Sequence, residues 1–296
     1  MLDKGRGVWL FKPVPGMQKI ETVQEMFTTS AGLRASGERL ALLPTLGALH
    51  AGHLSLIRLA QARGLTVVVS TFVNPLQFGP SEDFAKYPRT AAADASLAER
   101  EGVAVLFAPT AEEMFPRGYS TYLSEDYVGK PLCGVSRTAL YRGVLTCWLK
   151  LINIIQPSVL VMGDRDPQQV AVVRKAVRDL MVPVEILTGP TVRDADGFVI
   201  SARNAYLSPT HRADALEVYL SLCKAKEMVD SGVKSADRIV AEVTHILAAK
   251  RRLRVIYISV VNRDTMEAMR EVVSDQCLLA IAYWIDEVRL TDNMLL

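Results

Sequence analysis

No apolar run in this chain approaches the roughly 18 residues that a bilayer-spanning helix needs, so nothing reads as a membrane span. Cysteine is scarce. Cys133, Cys147, Cys223 and Cys277 lie far apart, with no Cys-x-x-Cys pair and no histidine at ligand spacing. That pattern excludes a disulfide scaffold and a zinc motif, and it reads as buried or inert thiols in a reducing cytoplasm. Neither sign of charge dominates: 34 Lys and Arg face 32 Asp and Glu, a net charge of +2. Net charge therefore gives no support to a nucleic-acid or membrane partner. Near the N-terminus Lys4 and Arg6 precede only a short apolar patch at 8–11, too little for a secretory signal. What is present is a globular composition, half hydrophobic and 22% charged, in 296 residues, long for a single core.

Strand-like apolar runs recur at 40–45, 67–72, 103–107, 158–162 and 184–187, separated by helical patterns near 54–62, 91–101, 144–155 and 168–180. Strands alternating with helices of this length predict an α/β fold, a parallel sheet with helices on both faces. In such sheets ligands collect at the carboxyl ends of the strands. The breaker Thr188-Gly189-Pro190 ends the pattern. Helices near 212–229 and 236–249 follow, then short strands at 254–261, 277–282 and 287–291, which reads as a smaller α+β domain. The expected division is 1–189 and 190–296.

Three loops fall on the ligand-binding rim. The first, Pro44-Thr45-Leu46-Gly47-Ala48-Leu49-His50-Ala51-Gly52-His53, joins the 40–45 strand to the next helix and holds two of the four histidines. A helix start offers unpaired N–H groups and the positive end of the dipole, where a triphosphate is held well and two imidazoles can donate to it. The plainer reading is a glycine turn with two surface histidines. The second loop, Val73-Asn74-Pro75-Leu76-Gln77-Phe78-Gly79-Pro80, offers two carboxamides that suit a small polar substrate; it also reads as a turn in which Asn74 bonds its own backbone. The third is Gly163-Asp164-Arg165-Asp166-Pro167-Gln168-Gln169. Pro167 suits the first position of a helix, with Asp166 its natural N-cap, and Arg165 suits an anion or a neighbouring Asp. Further on, Asp196-Gly197 signals a turn. Ser201 and Arg203 after it either close over phosphates or belong to a hairpin and loop with a solvated arginine.

Taken together these segments resemble the pantothenate synthetase (pantoate–β-alanine ligase) family along nearly the whole chain. The resemblance rests on Pro44-Thr45, Gly47-Ala48-Leu49-His50 and Gly52-His53, the 72–79 loop and Tyr87-Pro88-Arg89-Thr90. Gly143-Val144 with Thr146, Gly163 with Asp166 and Gln168-Gln169, Asp196-Gly197, Ser201 with Arg203-Asn204, and Arg289-Leu290 with Asp292-Asn293 complete it. It implies a Rossmann-like adenylate-forming domain of the nucleotidyltransferase type, a C-terminal lid domain, a homodimer, and ATP, pantoate and β-alanine as substrates, with Mg²⁺ carried by ATP and no dedicated metal motif. By the same resemblance His50 and His53 bind the ATP phosphates and Gln77 and Gln169 bind pantoate. Asn74, Tyr87 and Asp166 lie near the acyl centre and the amine. Leu46, Gly163, Arg165, Asp166, Ser201 and Arg203 complete the ATP site, and His50, His53, Arg165 and Arg203 are the expected catalytic set. The chain departs from the family pattern at Leu46 (usually Met), Arg165 (Lys), Pro167 (Tyr), Leu140 (His) and Ala202 (Ser).

A carboxylate is ionised at neutral pH, so adenylation needs no general base. It needs in-line placement and cations around the leaving pyrophosphate, a charge that His50, His53, Arg165, Arg203 and Mg²⁺ can supply. In the second step the β-alanine ammonium must lose a proton, to Asp166 or to the departing phosphate. Two other readings fit the same residues: an adenylate-forming ligase or nucleotidyltransferase acting on another small carboxylate, and a non-catalytic nucleotide-binding paralogue.

Overall fold

Apolar residues on both faces of each central strand make a strand that must be covered on two sides, and the fold meets that demand. The structure, a computed structural model, describes residues 16–79 and 82–296; the 8–11 patch and Pro80 lie outside the described residues. The first lobe runs β1 (Gln18–Ile20), α1 (Val23–Ala35), β2 (Leu40–Thr45), α2 (Ala51–Gln61), β3 (Thr66–Thr71) and α3 (Ala91–Arg100). It continues with β4 (Val105–Phe107), two single-turn helices α4 (Ala111–Met114) and α5 (Cys133–Ser136), α6 (Leu140–Ile155), β5 (Val159–Gly163), α7 (Pro167–Asp179) and β6 (Glu185–Gly189). Its six strands are parallel in the order β1-β4-β3-β2-β5-β6.

The alternation along each strand sorts the core into two layers. Ala41, Leu43, Val67, Val69, Val159 and Val161 face Leu56, Ile57 and Ala60 of α2 and Ala98 of α3. Leu40, Leu42, Val68, Val105, Leu160 and Met162 face Met26 of α1, the apolar stripe of α6, and Val170 to Val173 of α7. The chain winds outward from β2 through β3 to β4, then returns to pair β5 on the other side of β2. That reversal leaves a crevice beyond the carboxyl ends of β2 and β5, the topological switch point where ligands bind in such sheets. The expected α/β architecture is thus the observed one.

The second lobe holds α8 (Pro209–Asp230), α9 (Ala236–Ala248) and a three-stranded antiparallel sheet of β7 (Leu253–Asn262), β8 (Cys277–Ile285) and β9 (Val288–Leu295). One sheet face, with Leu279, Ile281, Tyr283 and Ile285, packs on Val218 and Leu222 of α8 and Ile239 and Val243 of α9. Val261, Met266 and Leu278 join the first lobe's core instead. The lobes therefore share packed apolar surface as well as a crevice. No helix among the described residues is long and apolar enough to cross a membrane.

Candidate active site

The turn after β2 is held by side chains rather than by its own backbone. Thr45 Oγ1 donates to the Ser70 carbonyl at 2.8 Å and accepts the Gly47 N–H at 3.1 Å. Gly47 and Ala48 then take positive φ values of 79° and 51°. Asp94, on α3, clamps this strained bend: Oδ2 accepts the Ala48 N–H at 2.9 Å and Oδ1 the Leu49 N–H at 2.8 Å. The bend delivers His50 to the N-cap of α2.

The two imidazoles cap the helix reciprocally. His50 Nδ1 accepts the Gly52 N–H, and His53 Nδ1 accepts the His50 N–H, each at 3.2 Å. A Cβ on Gly52 would lie 3.0 Å from the His50 ring, which would then have to shift by a few tenths of an ångström from its place over the helix end. An Nδ1 that accepts carries no proton, so in both neutral rings the hydrogen sits on Nε2. Their centroids are 4.0 Å apart. Burial, reinforced by the Arg165 guanidinium, lowers the His50 pKa to about 4; burial, His50 and Arg165 lower that of His53 to about 3. Two corrections follow. Neither ring is freely exposed, and in the free enzyme at neutral pH both are uncharged hydrogen-bond donors rather than cations.

The cation is Arg165, in the loop after β5. Its Nη1 lies 3.2 Å from Asp166 Oδ2 and its Nη2 3.4 Å from Ser201 Oγ. Its Nε is buried without a hydrogen-bond partner among the described residues. The side chain as a whole stays 23% exposed, so it is the Nη edge that can meet a ligand oxygen. Pro167 does open α7, as the sequence predicts. Asp166 stands at the N-cap but makes no capping bond, because its carboxylate turns to Arg165 instead.

A cavity of about 210 Å³ gathers most of the expected residues: Leu46, His50, His53, Gln77, Tyr87, Gly163, Arg165, Asp166, Gln169, Ser201 and Arg203. Phe72 with Cys147, Trp148 and Leu151 of α6 forms an apolar wall, and Pro190 to Val192 and Ile200 close the other side. A second cavity of about 160 Å³ adjoins it and shares Leu46, Gln77, Arg165, Asp166, Gln169 and Arg203.

Two expected residues stand differently. Asn74 is fully buried and does not line either cavity: its Oδ1 accepts the Leu76 N–H at 3.1 Å and its Nδ2 donates to the Gly143 carbonyl at 3.0 Å. Its carboxamide is spent on holding the Gln77 loop against α6, so contact with substrate is corrected to support of the loop. Arg203 is not solvated; Nε and Nη2 grip Asp83, each at 2.9 Å, and the guanidinium lies 5.5 Å from the Tyr87 ring centroid. Neighbouring Gln168 is likewise structural, bonding Val128, Pro131 and Cys133 through its carboxamide. Asp94, Asp83 and the α6 wall were missed in the sequence. An aspartate on a helix or an apolar helix stripe carries no local mark of a site.

Comparison with known proteins gives one consistent answer. The profile of the family described as pantoate-beta-alanine ligase matches residues 18–295. The pantothenate synthetase of Heliobacterium modesticaldum is 42% identical over 278 residues, covering 94% of this chain and 99% of that protein. A crystal structure of pantothenate synthetase from Thermus thermophilus superposes with a TM-score of 0.88 at 36% identity, over 94% of this chain and 99% of that one. The pantoate-beta-alanine ligase of Francisella tularensis, in a complex with beta-gamma ATP and beta-alanine, gives 0.78 at 28% identity, over 94% and 97%.

Proposed function

The chain belongs to the pantoate–β-alanine ligase family, an ATP-dependent ligase family, and on that premise we propose how its own residues join pantoate to β-alanine. The ATP phosphates lie against the start of α2, receiving the Nε2–H groups of His50 and His53 and the guanidinium of Arg165. Gly163 and Ser201 line the nucleotide's side of the cavity. Gln77 and Gln169 orient pantoate, while Leu46 and the α6 wall receive its branched carbon. Arg203, balanced by Asp83, acts with Tyr87 at the edge of the acyl centre. The observation that carries this reading is that the Arg165 guanidinium, its side chain 23% exposed, lines the same cavity as the two donor imidazoles.

The carboxylate of pantoate attacks the α-phosphorus, the bond to pyrophosphate breaks, and a pantoyl-adenylate forms. Neutral donors and one arginine stabilise the charge that gathers on the leaving group. Magnesium takes mostly phosphate and water oxygens and asks for a carboxylate or two from a protein. Asp166, whose side chain is half-exposed beside the cavity, fits that demand, and the ion would neutralise phosphate charge. In the second step β-alanine nitrogen attacks the acyl carbon, its proton passes to the departing phosphate, and AMP leaves. Residues 190–296 serve as a lid that keeps water from the adenylate. The reading includes a homodimer and a cytoplasmic location, which light scattering and cell fractionation check.

Mixing the protein with ATP, Mg²⁺, pantoate and β-alanine should give AMP and pantothenate in equal amounts. Without β-alanine, pantoate should support exchange of label between pyrophosphate and ATP. Exchange that answers to a different small acid replaces pantoate in this reading, and nucleotide binding with no exchange for any acid removes catalysis from it.

A further inference from the structure

The stretch between β6 and α8 folds back on itself and meets the larger cavity at both of its ends. Asp194 N–H donates to the Phe198 carbonyl at 2.8 Å and Ile200 N–H to the Val192 carbonyl at 3.1 Å, closing a hairpin around Asp196-Gly197. Pro190 to Val192 lead into it and Ile200 to Arg203 lead out, and both runs line that cavity. At the turn a Cβ on Gly197 would fall 1.8 Å from the Tyr219 ring, so the hairpin lies directly against α8.

Arg193, inside the hairpin, pins it to β9. Its Nη1 and Nη2 each meet the Asp292 carboxylate at 2.8 Å, and they also donate to the Gly197 and Asn293 carbonyls, each at 3.1 Å. The pair is buried, with Asp292 3% exposed and Arg193 18%. Asp292 and Asn293 are consecutive on β9, so their side chains take opposite faces. On its own face Asn293 Nδ2 donates to the Asp164 and Arg165 carbonyls at 3.3 and 2.9 Å. One strand thus holds the hairpin with one residue and the Arg165 loop with the next, and both belong to the wall of the larger cavity.

A buried ion pair often holds a fold together no better than apolar side chains of the same volume, because both charges must leave water. What it supplies is direction, since the guanidinium fork meets a carboxylate in one geometry. Resting on the reading that ATP occupies the larger cavity, we infer that Arg193 and Asp292 are positioning residues for the nucleotide. Through β9 they fix the distance between the 190–203 wall and the Arg165 loop. Neither side chain lines the cavity itself, so neither touches the reacting groups. Arg165 Nη2 and Ser201 Oγ stand 3.4 Å apart where the two walls meet, so a slip of the hairpin changes how both address the phosphates.

The test compares Asp292→Asn and the double variant Arg193→Met, Asp292→Leu with the unaltered enzyme. Urea unfolding reads stability, and pantoate-dependent pyrophosphate exchange reads the KM for ATP and the KM for pantoate separately. The double variant removes both charges and strands neither, so its urea midpoint should stay close to that of the unaltered protein or rise. Its KM for ATP should nonetheless rise roughly tenfold, as misplaced donors meet the phosphates. The KM for pantoate should move far less, since the Gln77 loop hangs on α6 through Asn74 and Gln169 lies within α7. Asp292→Asn keeps the shape and one acceptor oxygen, and the same split at several-fold decides the matter if the double variant does not fold. An unchanged KM for ATP in the variants that fold overturns the inference. A loss of exchange that follows the urea midpoint, with both KM values rising together, overturns it as well. Absence of exchange in the unaltered enzyme overturns the ligase reading instead.

Discussion

Replacing Asp94 by alanine should loosen the bend that aims both histidines. The carboxylate is nearly buried, at 4% exposure, and its two oxygens accept the N–H groups of Ala48 and Leu49 at 2.9 and 2.8 Å, with Thr90 Oγ1 at 3.0 Å on Oδ1. Alanine leaves both backbone donors without an acceptor at a half-buried bend. Each stranded donor costs about 1–3 kcal/mol, so the variant should lose about 2–6 kcal/mol, partly offset by no longer burying a charge. For a chain of 296 residues that is a fall in melting temperature of roughly 3–10 °C. Ala48 also sits at a φ of 51°, a conformation that persists only while its surroundings impose it. Freed of the clamp, the bend relaxes and His50 shifts. A displacement of an ångström at such a site can cost on the order of a hundredfold in rate, which pyrophosphate exchange would register. Asparagine offers one acceptor and one clashing donor, so Asp94→Asn should fall between. A melting temperature within a degree or so of the unaltered protein, with exchange intact, would refute the idea that Asp94 holds the bend.

Acid should weaken the folded state through the two imidazoles. Both bind a proton more weakly when folded, at about 4 and about 3, than at the ordinary value of 6.5 that holds in an unfolded chain, so the unfolded chain takes up more protons between these limits. The stability they contribute is complete above pH 6.5 and is lost as pH falls toward those lower values; urea unfolding at pH 7 and 5 should show the decline, and the His50→Gln, His53→Gln double variant should show less of it. Arg165→Lys should keep substantial exchange activity while Arg165→Ala loses about two orders of magnitude; equal rates in all three would remove Arg165 from the phosphate site. Gly143→Ala would place a Cβ 2.2 Å from the Leu76 carbonyl oxygen, a backbone atom that cannot rotate away, so the Gln77 loop must shift. A loss of about 1–3 kcal/mol in denaturant unfolding and a higher pantoate KM are expected.

Strands buried on both faces were legible, and β2 is bounded as the apolar run predicts. The first two elements were not. β1 has three residues, and α1 buries only Met26 and Ser30, so its sequence carries no apolar stripe to read. α6 starts at Leu140 rather than at 144, and takes Gly143 into its first turn. The glycine's lack of a side chain admits the Leu76 carbonyl. The rim loops were identified because Gly, Pro and His at strand ends are local signals. What those side chains do was less legible, because it depends on partners far along the chain. Asn74 is committed by a carbonyl 69 residues away and Arg203 by a carboxylate 120 residues away. Charge state was least legible of all: burial beside Arg165 keeps the histidines neutral well into the acid range, where free imidazoles would be protonated.

That neutrality bears on how the proposed phosphate site is built. Protonated imidazoles with centroids 4.0 Å apart, close to a guanidinium, would repel one another in the free enzyme. The site would then have to be held open against its own charge. Neutral rings avoid this. Each spends Nδ1 on a backbone N–H of the helix start, which fixes the ring and leaves Nε2–H as a donor fixed in advance. The full positive charge is concentrated in the Arg165 loop, which both lobes support. Asp164 N–H donates to the Gly189 carbonyl at 2.9 Å from the parallel sheet, and Asn293 reaches the Arg165 carbonyl from the antiparallel one. A reaction in which charge first builds on a leaving phosphate and then on an attacked acyl centre needs one cation held between two chambers. A loop at the β2–β5 crevice, braced from both sides, is where this fold can hold it.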